Sequence, residues 1–220
     1  MTRIFYYPII GNNMNICAII QARMGSRRLP NKTFINLSGK PLIYHVIERL
    51  KPSKYLDNIV VATTLDKGDD IIENWCIQNK VNFFRGSQNN VLNRYFMAAK
   101  EFSADLIIRI TADDPFKDYR IIDKSIKLLI NEKLEFVCNN NPPTFPEGLD
   151  VEVMTFNCLK ICNNNAKTSF QKEHVTQYIH QNLKSFKMKN LYNDTNYSHY
   201  RWTIDTKDDY LFASKIYKKL

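Results

Sequence analysis

The sequence predicts an α/β fold built on a mostly parallel sheet. Short, continuously apolar runs recur along the chain, as strands covered on both faces require. Segments with helical periodicity separate these runs, which is the pattern of parallel strands joined by helices. A basic loop containing a glycine follows the first run, where sheets of this class bind ligands. We therefore expect a Rossmann-like sheet with helices on both faces.

The predicted elements follow from local pattern. Short runs of β-branched or aromatic residues predict strands at 16–22, 58–64, 82–86, 106–114 and 136–140. Apolar residues at helical spacing predict intervening helices at 41–50, 69–79, 91–102 and 121–131.

The composition changes after residue 142, where prolines cluster and apolar residues begin to alternate with acidic ones. This pattern predicts a half-buried antiparallel strand in "DVEVMTF". A helix at 172–183, a strand at 200–206 and a closing helix are expected after it. We interpret 1–13 as an N-terminal extension and 14–220 as one domain, in which 142–200 contains a small antiparallel arm.

Length and composition restrict the class of protein. A chain of 220 residues suffices for one sizeable domain, and 44% hydrophobic with 24% charged residues is ordinary for a globular protein. No apolar stretch reaches the ~20 residues of a membrane span, and no secretory signal is visible. Five scattered cysteines, an odd number, favour reduced thiols over disulfides or a metal site, so we expect a cytoplasmic protein without a membrane partner.

The net charge of +9 raises the possibility of nucleic-acid binding. The lysines are spread along the chain, however, with only a short cluster at the C-terminus. We therefore do not expect a nucleic-acid partner.

The stretch "QARMGSRRLPNK" (21–32) places Arg23, Arg27, Arg28 and Lys32 around Gly25. Arginine side chains and loop N–H groups at the end of a strand suit phosphate oxygens. The loop lacks the glycine spacing of P-loop NTPases and of dinucleotide-binding folds. From the residues alone, a phosphate-binding loop and a solvated basic loop remain open alternatives.

Several segments together resemble one enzyme family. They are "IIQARMGSRRLPNK…LSGKPLIYHVIERL", "IVVATTLDKGDDII", "FRGSQNNVLNRYFMAAKEFSADLIIRITADDP", "FPEGLDVEVMTF", "KEHVTQYI" and "RWTIDTKDDYLF". They resemble cytidylyltransferases that activate sugars as CMP conjugates, most of all the spore-coat polysaccharide (SpsF-type) family. The 3-deoxy-manno-octulosonate and acylneuraminate cytidylyltransferases are more distant.

The resemblance implies a nucleotidyltransferase fold whose arm often serves dimerisation, so a homodimer is possible. It also implies transfer of CMP from CTP to an acidic sugar for a surface glycan such as a capsule, with release of pyrophosphate. A phosphorylated small molecule as acceptor, giving a CDP-linked product, is the alternative. A non-catalytic nucleotide-binding module is a third possibility.

The resemblance also assigns nucleotide contacts in the first loop. The positions implied for binding are Gln21, Ala22, Arg23, Gly25, Ser26, Arg27, Arg28 and Lys32. Of these, Arg23, Arg28 and Lys32 are expected to act in catalysis together with Asp113. Arg27 stands where the family usually has threonine. Asn31 replaces a common glycine, and asparagine tolerates the left-handed conformation.

Asp113 and Asp205 each end a predicted strand. The resemblance places the family's metal-binding aspartates on these residues, and Mg²⁺ is typically held by one or two carboxylates plus phosphates and waters. Capping of the following helix by Asp113 or Asp114 is the alternative. For a hydroxyl acceptor, Asp113 or a metal-polarised hydroxyl is the candidate base.

On the acceptor side, the matched segments suggest contacts from Arg94, Glu147, Asp150, Glu152 and His174. A solvated strand face is the alternative for the acids, and a structural role is the alternative for His174. The remaining histidines are interpreted as structural. Asn93 replaces the family's usual aspartate, which removes one negative charge beside Arg94.

Overall fold

The computed structural model describes residues 14–26 and 28–220. The expected extension at 1–13 and the nucleotide contact expected from Arg27 lie outside the described residues.

Strands and helices alternate as expected. The strands are β1 Ile16–Gln21, β2 Asn36–Leu37, β3 Lys40–Pro41, β4 Asn58–Thr64, β5 Asn82–Gly86, β6 Leu106–Thr111, β7 Phe136–Cys138, β8 Glu152–Thr155 and β9 Met188–Asn190. The helices are α1 Leu42–Leu50, α2 Asp70–Asn79, α3 Val91–Glu101, α4 Tyr119–Asn131, α5 Phe156–Asn165, α6 Ser169–Glu173, α7 Gln177–Gln181 and α8 Lys207–Tyr217.

Within the described chain, the main sheet has the strand order β5-β4-β1-β6-β8-β7-β9. The pairs from β5 through β6 are parallel, and β8 runs antiparallel to both of its neighbours. β1 therefore lies between β4 and β6, so the loops after these three strands emerge at one edge. A separate antiparallel pair, β2 and β3, forms a short hairpin.

Both faces of the sheet are covered by helices. Successive residues of β1 show this, because they pack alternately in two different hydrophobic clusters. Ala18 and Ile20 pack in the cluster that contains the buried residues of α1, α2 and α4. Cys17 and Ile19 pack in the cluster formed with α3 and α5. The α/β fold with helices on both faces is thus confirmed, and all five cysteines are buried and free.

Two expectations about secondary structure were wrong, and one helix was missed. Residues 200–206 form no strand, because their backbone makes one isolated β-bridge, between Glu147 and Arg201, and single hydrogen bonds to loop residues in place of a ladder. The helix expected at 172–183 is divided into α6 and α7, since Val175 between them has a φ of 47°. The helix α5 was not predicted at all.

Residues 142–200, the expected arm, supply β8 and β9 to the main sheet as well as α5, α6 and α7. The two-stranded antiparallel hairpin lies earlier, at 36–41. A role for 142–200 in dimerisation stays a prediction. Among the described residues, no helix has the length and apolarity needed to cross a membrane.

Candidate active site

The first loop and the two predicted metal ligands meet at one edge of the sheet. A cavity of about 860 Å³ opens there, beyond the ends of β1 and β6. The lining includes Asp113, Asp205 and all the predicted nucleotide-binding residues that the structure describes, namely Gln21, Ala22, Arg23, Gly25, Ser26, Arg28 and Lys32. We call this space the nucleotide cavity.

Lys32 joins the two aspartates. Its Nζ donates to Asp113 Oδ2 and to Asp205 Oδ1, each at 2.7 Å. The two carboxylate oxygens are therefore no farther apart than twice that distance. Arg28 and Arg201 also pair with Asp205, each at 2.9 Å. The site thus holds opposite charges in direct contact, and the acids share one cation.

These contacts set the ionisation of the site. Burial opposes the charged form of Asp205, but the hydrogen bond and charge of Lys32, followed by Arg28 and Arg201, outweigh it and lower the pKa of the carboxyl. Burial likewise opposes the charged form of Lys32, yet Asp113 and Asp205 raise the pKa of its ammonium above the ordinary value. Lys32 and Asp205 are therefore both charged at neutral pH.

Backbone pairing brings Asp205 to Asp113 although no strand carries it. The N–H of Ile204 donates to the carbonyl of Asp113 at 2.9 Å. Gly148 packs closely against this segment, with a φ of 99°, and a Cβ there would lie 2.7 Å from the Thr203 nitrogen. Gly148 therefore meets both conditions that favour glycine, a positive φ and a close backbone approach.

Hydrogen bonds from neighbouring elements hold the first loop. Asp69, buried before α2, accepts from the N–H of Met24 at 2.7 Å and from the Thr64 hydroxyl. Asn31 adopts the expected left-handed conformation, with a φ of 57°. Neither a positive φ nor a close neighbour requires glycine at position 25, because a Cβ there would meet nothing within 4 Å. The backbone at Gly25 instead faces open space in the nucleotide cavity.

Two further cavities adjoin the nucleotide cavity and share residues with its lining. A space of about 120 Å³, the inner cavity, has a lining that includes Arg23, Arg94, Arg109 and His174 together with one acid, Glu173. A space of about 290 Å³, the polar chamber, includes Arg109, Glu152 and His174 in its lining. Three residues predicted to bind the acceptor, Arg94, Glu152 and His174, thus line these adjoining cavities.

Glu152 anchors a buried network in the polar chamber. It accepts from Arg109 at 2.6 Å and from the Thr176 hydroxyl at 2.9 Å, and His180 Nε2 lies 3.3 Å away. Burial favours the neutral acid, but Arg109 and then His180 prevail and lower the pKa of Glu152 to about 2. Glu152 is therefore an ionised, buried partner of Arg109, which differs from the solvated strand face considered as the alternative.

Glu147 and Asp150 line none of these three cavities. Glu147 pairs with Arg201. Asp150 accepts from the N–H of Gly148 at 3.4 Å, and its carbonyl accepts from Lys117. The structure thus places both acids in contacts that shape the segment around Asp205, and an acceptor contact from either stays a prediction.

The capping alternative for Asp113 and Asp114 was wrong. Asp118 caps α4, its carboxylate accepting from the N–H of Arg120. Asp114 is buried and pairs with Lys117 at 2.9 Å. Burial raises the pKa of Asp114. Asp113 is left at the nucleotide cavity, where Lys32 is its partner.

Sequence reasoning overlooked Arg109, Arg201 and Asp69, and it interpreted His180 as structural. Arg109 lies within an apolar strand pattern, and a charged residue at such a position is the one signal that could have identified it. Asp69 accepts from the N–H of Met24, which is distant in sequence, so no local pattern indicates that contact. Arg201 pairs with Asp205 four residues later, but its segment was predicted as a strand, in which that spacing indicates no contact. His180 lines the polar chamber beside Glu152.

Comparison with known proteins gives several similarities. The chain is 43% identical over 175 residues to the uncharacterized protein MJ1063 of Methanocaldococcus jannaschii, which covers 80% of this chain and 71% of that protein. It is 34% identical over 212 residues to the spore coat polysaccharide biosynthesis protein SpsF of Bacillus subtilis, which covers 93% and 87%. A solved cytidylyltransferase from Leptospira borgpetersenii superimposes with a TM-score of 0.86 at 34% identity, covering 94% of this chain and 95% of that one.

A family model described as cytidylyltransferase matches residues 17–219, which is nearly the whole of the described chain. The match includes the first loop, Asp113 and Asp205, the residues that converge on the nucleotide cavity. The chain belongs to the cytidylyltransferase family.

Proposed function

We propose that this protein transfers CMP from CTP to an acidic sugar and releases pyrophosphate, in the synthesis of a surface glycan. The observation that carries the proposal is the convergence of Arg23, Arg28 and Lys32 with Asp113 and Asp205 on one cavity at the sheet edge. Family membership supports cytidylyl transfer, and the similarity to the spore coat polysaccharide biosynthesis protein SpsF supports a glycan as destination.

The cationic side chains suit a triphosphate. Arg23 and Arg28 are exposed at the cavity, where guanidinium groups bind phosphate oxygens through paired hydrogen bonds. The open space beside Gly25 lets a phosphate approach the loop backbone, whose N–H groups add further donors. The loop thus fixes the α-phosphorus and neutralises charge that develops during transfer.

Asp113 and Asp205 fit a magnesium ion. Their oxygens already converge on one cation, the Lys32 ammonium, and carboxylate oxygens are the protein ligands that Mg²⁺ prefers. Among the described residues no group of three or more acids, histidines or cysteines offers a larger ligand set. Two carboxylates suffice when phosphates and waters complete the shell. When bound, the ion supplies positive charge that offsets the triphosphate.

The transfer is an in-line displacement. An acceptor oxygen attacks the α-phosphorus, the new P–O bond forms, and the bond to the bridging oxygen breaks so that pyrophosphate leaves with the electron pair. A hydroxyl acceptor loses its proton during the attack. We assign Asp113, at the edge of the cavity, as the base that accepts this proton. A phosphate acceptor is already an anion and needs no base.

A screen of pyrophosphate release tests this function. Four nucleoside triphosphates are combined with a panel of acidic sugars and of phosphorylated small molecules, with Mg²⁺ present. We expect release with CTP and an acidic sugar, and its loss in Asp113→Asn with the fold retained. Asp194→Asn, at an exposed position that lines none of the three cavities, is the matched control. Activity of Asp113→Asn near that of the parent would refute the assignment.

The alternative acceptor is a phosphorylated small molecule, and one observation favours considering it. The inner cavity carries arginine side chains, which bind phosphate as readily as carboxylate. If pyrophosphate is released only with phosphorylated acceptors, the acceptor is a phosphorylated small molecule and not an acidic sugar. CTP binding without turnover on any acceptor would instead indicate a non-catalytic module.

A further inference from the structure

The three cavities are neighbours that share lining residues. His174 lines all three, and Arg23 lines both the nucleotide cavity and the inner cavity. Arg109 lines both the inner cavity and the polar chamber. The inner cavity therefore lies between the proposed nucleotide position and a polar space of a size suited to a small molecule.

Arg94 is the unusual residue of the inner cavity. Its side chain is 2% exposed, its Nη1 donates to the carbonyl of Ser87 at 2.6 Å, and its Nε is buried with no partner. No carboxylate pairs with Arg94 anywhere in residues 14–26 and 28–220. Burial, with the nearby charge of Arg23, lowers the pKa of its guanidinium.

Two other cations that are largely shielded from solvent each have a carboxylate partner. Lys117 is 1% exposed and lies 2.9 Å from Asp114. Arg109 lies 2.6 Å from Glu152. Because a buried charge without a partner is costly, proteins normally supply a counter-ion. Arg94 lacks one among the described residues, and the first turn of α3, where it lies, has an electrostatic field that also favours an anion.

We propose that the inner cavity binds an oxyanion of the acceptor, a carboxylate or a phosphate, with Arg94 as its counter-ion. The volume of about 120 Å³ equals the liquid volume of about four water molecules, which accommodates one such group. Arg109, whose charge Glu152 balances, also lines the cavity, and its Nε is a second buried N–H donor without a partner. The identification of the oxyanion as part of the acceptor rests on the proposed function, whereas the anion site itself does not.

Anion binding to the full chain tests the proposal directly. The probes are inorganic phosphate and gluconate, with neutral glucose as reference, and CTP with Mg²⁺ is saturating so that the first loop is occupied. Calorimetry and thermal unfolding are measured for the parent and for Arg94→Met, Arg94→Lys and Arg120→Met. Arg120 is an exposed arginine on α4 and lines none of the three cavities, so its variant controls for loss of one positive charge.

We expect phosphate or gluconate, but not glucose, to bind the parent and Arg120→Met. Arg94→Met should lose roughly tenfold to a hundredfold in affinity for the anion, and Arg94→Lys should retain part of it. Without ligand, Arg94→Met should melt at or above the temperature of the parent, because it removes an unpaired buried charge. A preference for gluconate identifies a carboxylate site, and a preference for phosphate identifies a phosphate site.

Two results would overturn the proposal: no binding of either anion to the parent, or parent-like anion affinity in Arg94→Met. A folded Arg94→Met that melts well below the parent and still binds the anion would assign Arg94 a purely structural role. Failure of the proposed function has a separate signature, namely anion binding that depends on Arg94 in a protein that releases no pyrophosphate from CTP.

Discussion

Lys32→Met is the most informative perturbation of the candidate active site. The variant removes the ammonium that lies 2.7 Å from both Asp113 and Asp205. Two carboxylates separated by no more than twice that distance repel by about 3 kcal/mol at an effective dielectric constant of about 20. Arg28 and Arg201 still compensate Asp205, so we expect a loss of about 1–3 kcal/mol in unfolding free energy at pH 7.

The pH dependence of that loss provides the test. The pKa of Asp205 is lowered on folding, so its stabilising contribution is present above its unfolded pKa and is lost as pH falls through the folded pKa. The pKa of Lys32 is raised, so its contribution is complete below its unfolded pKa and is lost as pH rises through the folded pKa. The difference between parent and variant should therefore be greatest between these limits.

Urea unfolding at pH 7 and near pH 3 measures this difference. We expect the gap between parent and Lys32→Met to shrink at the lower pH, and Lys32→Arg, which keeps the charge, to lose less at pH 7. Magnesium should raise the melting temperature of Lys32→Met more than that of the parent, since the acids then lack their cation. A gap of equal size at both pH values would refute the electrostatic explanation.

Gly148→Ala should lower the unfolding free energy measured in urea by about 1–3 kcal/mol, because Gly148 has a positive φ and a Cβ would lie 2.7 Å from the Thr203 nitrogen. Parent-like stability would contradict the strain inferred at this position. Glu152→Gln should lower the unfolding free energy at pH 7 by about 3–5 kcal/mol, because Arg109 is left without its charged partner. Because the folded pKa of Glu152 is about 2, this loss should diminish in unfolding curves recorded below about pH 4. Gly25→Ala should keep its unfolding free energy within about 0.5 kcal/mol but bind CTP more weakly by calorimetry, because the methyl group enters the nucleotide cavity; a folding defect would contradict the open space.

The strands of the parallel core were predictable because burial on both faces leaves a strong signal. The predicted bounds 58–64 and 82–86 equal those of β4 and β5. The segment at 200–206 gave a similar apolar pattern but lacks a ladder partner, since backbone pairing there goes to isolated loop residues such as Glu147 and Asp113. The apolar pattern of a segment indicates that it is buried. Whether the segment pairs as a β-strand depends on its tertiary neighbours.

Helix prediction failed where local and tertiary signals disagree. α5 ends in three asparagines, which are poor helix formers, yet its buried Cys158, Leu159 and Cys162 pack under the sheet. The division between α6 and α7 depends on the left-handed backbone of Val175, a conformation that β-branched residues rarely adopt. Neither feature is evident from sequence periodicity.

For the candidate site, the resemblance identified Lys32, Asp113 and Asp205, which the structure joins through direct contacts. The inner cavity was not predictable in the same way. Its character depends on the absence of a counter-ion beside Arg94 among the described residues, which is visible only when distant elements are assembled. A sequence shows that a charge exists, and the fold determines whether that charge is neutralised.

Calorimetric binding of CTP with and without Mg²⁺ tests the central claim, that the first loop and the two aspartates form one metal–nucleotide site. We expect Mg²⁺ to strengthen CTP binding to the parent and to Asp194→Asn. Asp113→Asn should lose about tenfold or more in affinity for the magnesium complex. CTP binding that is independent of Mg²⁺ and unchanged in Asp113→Asn would contradict the account.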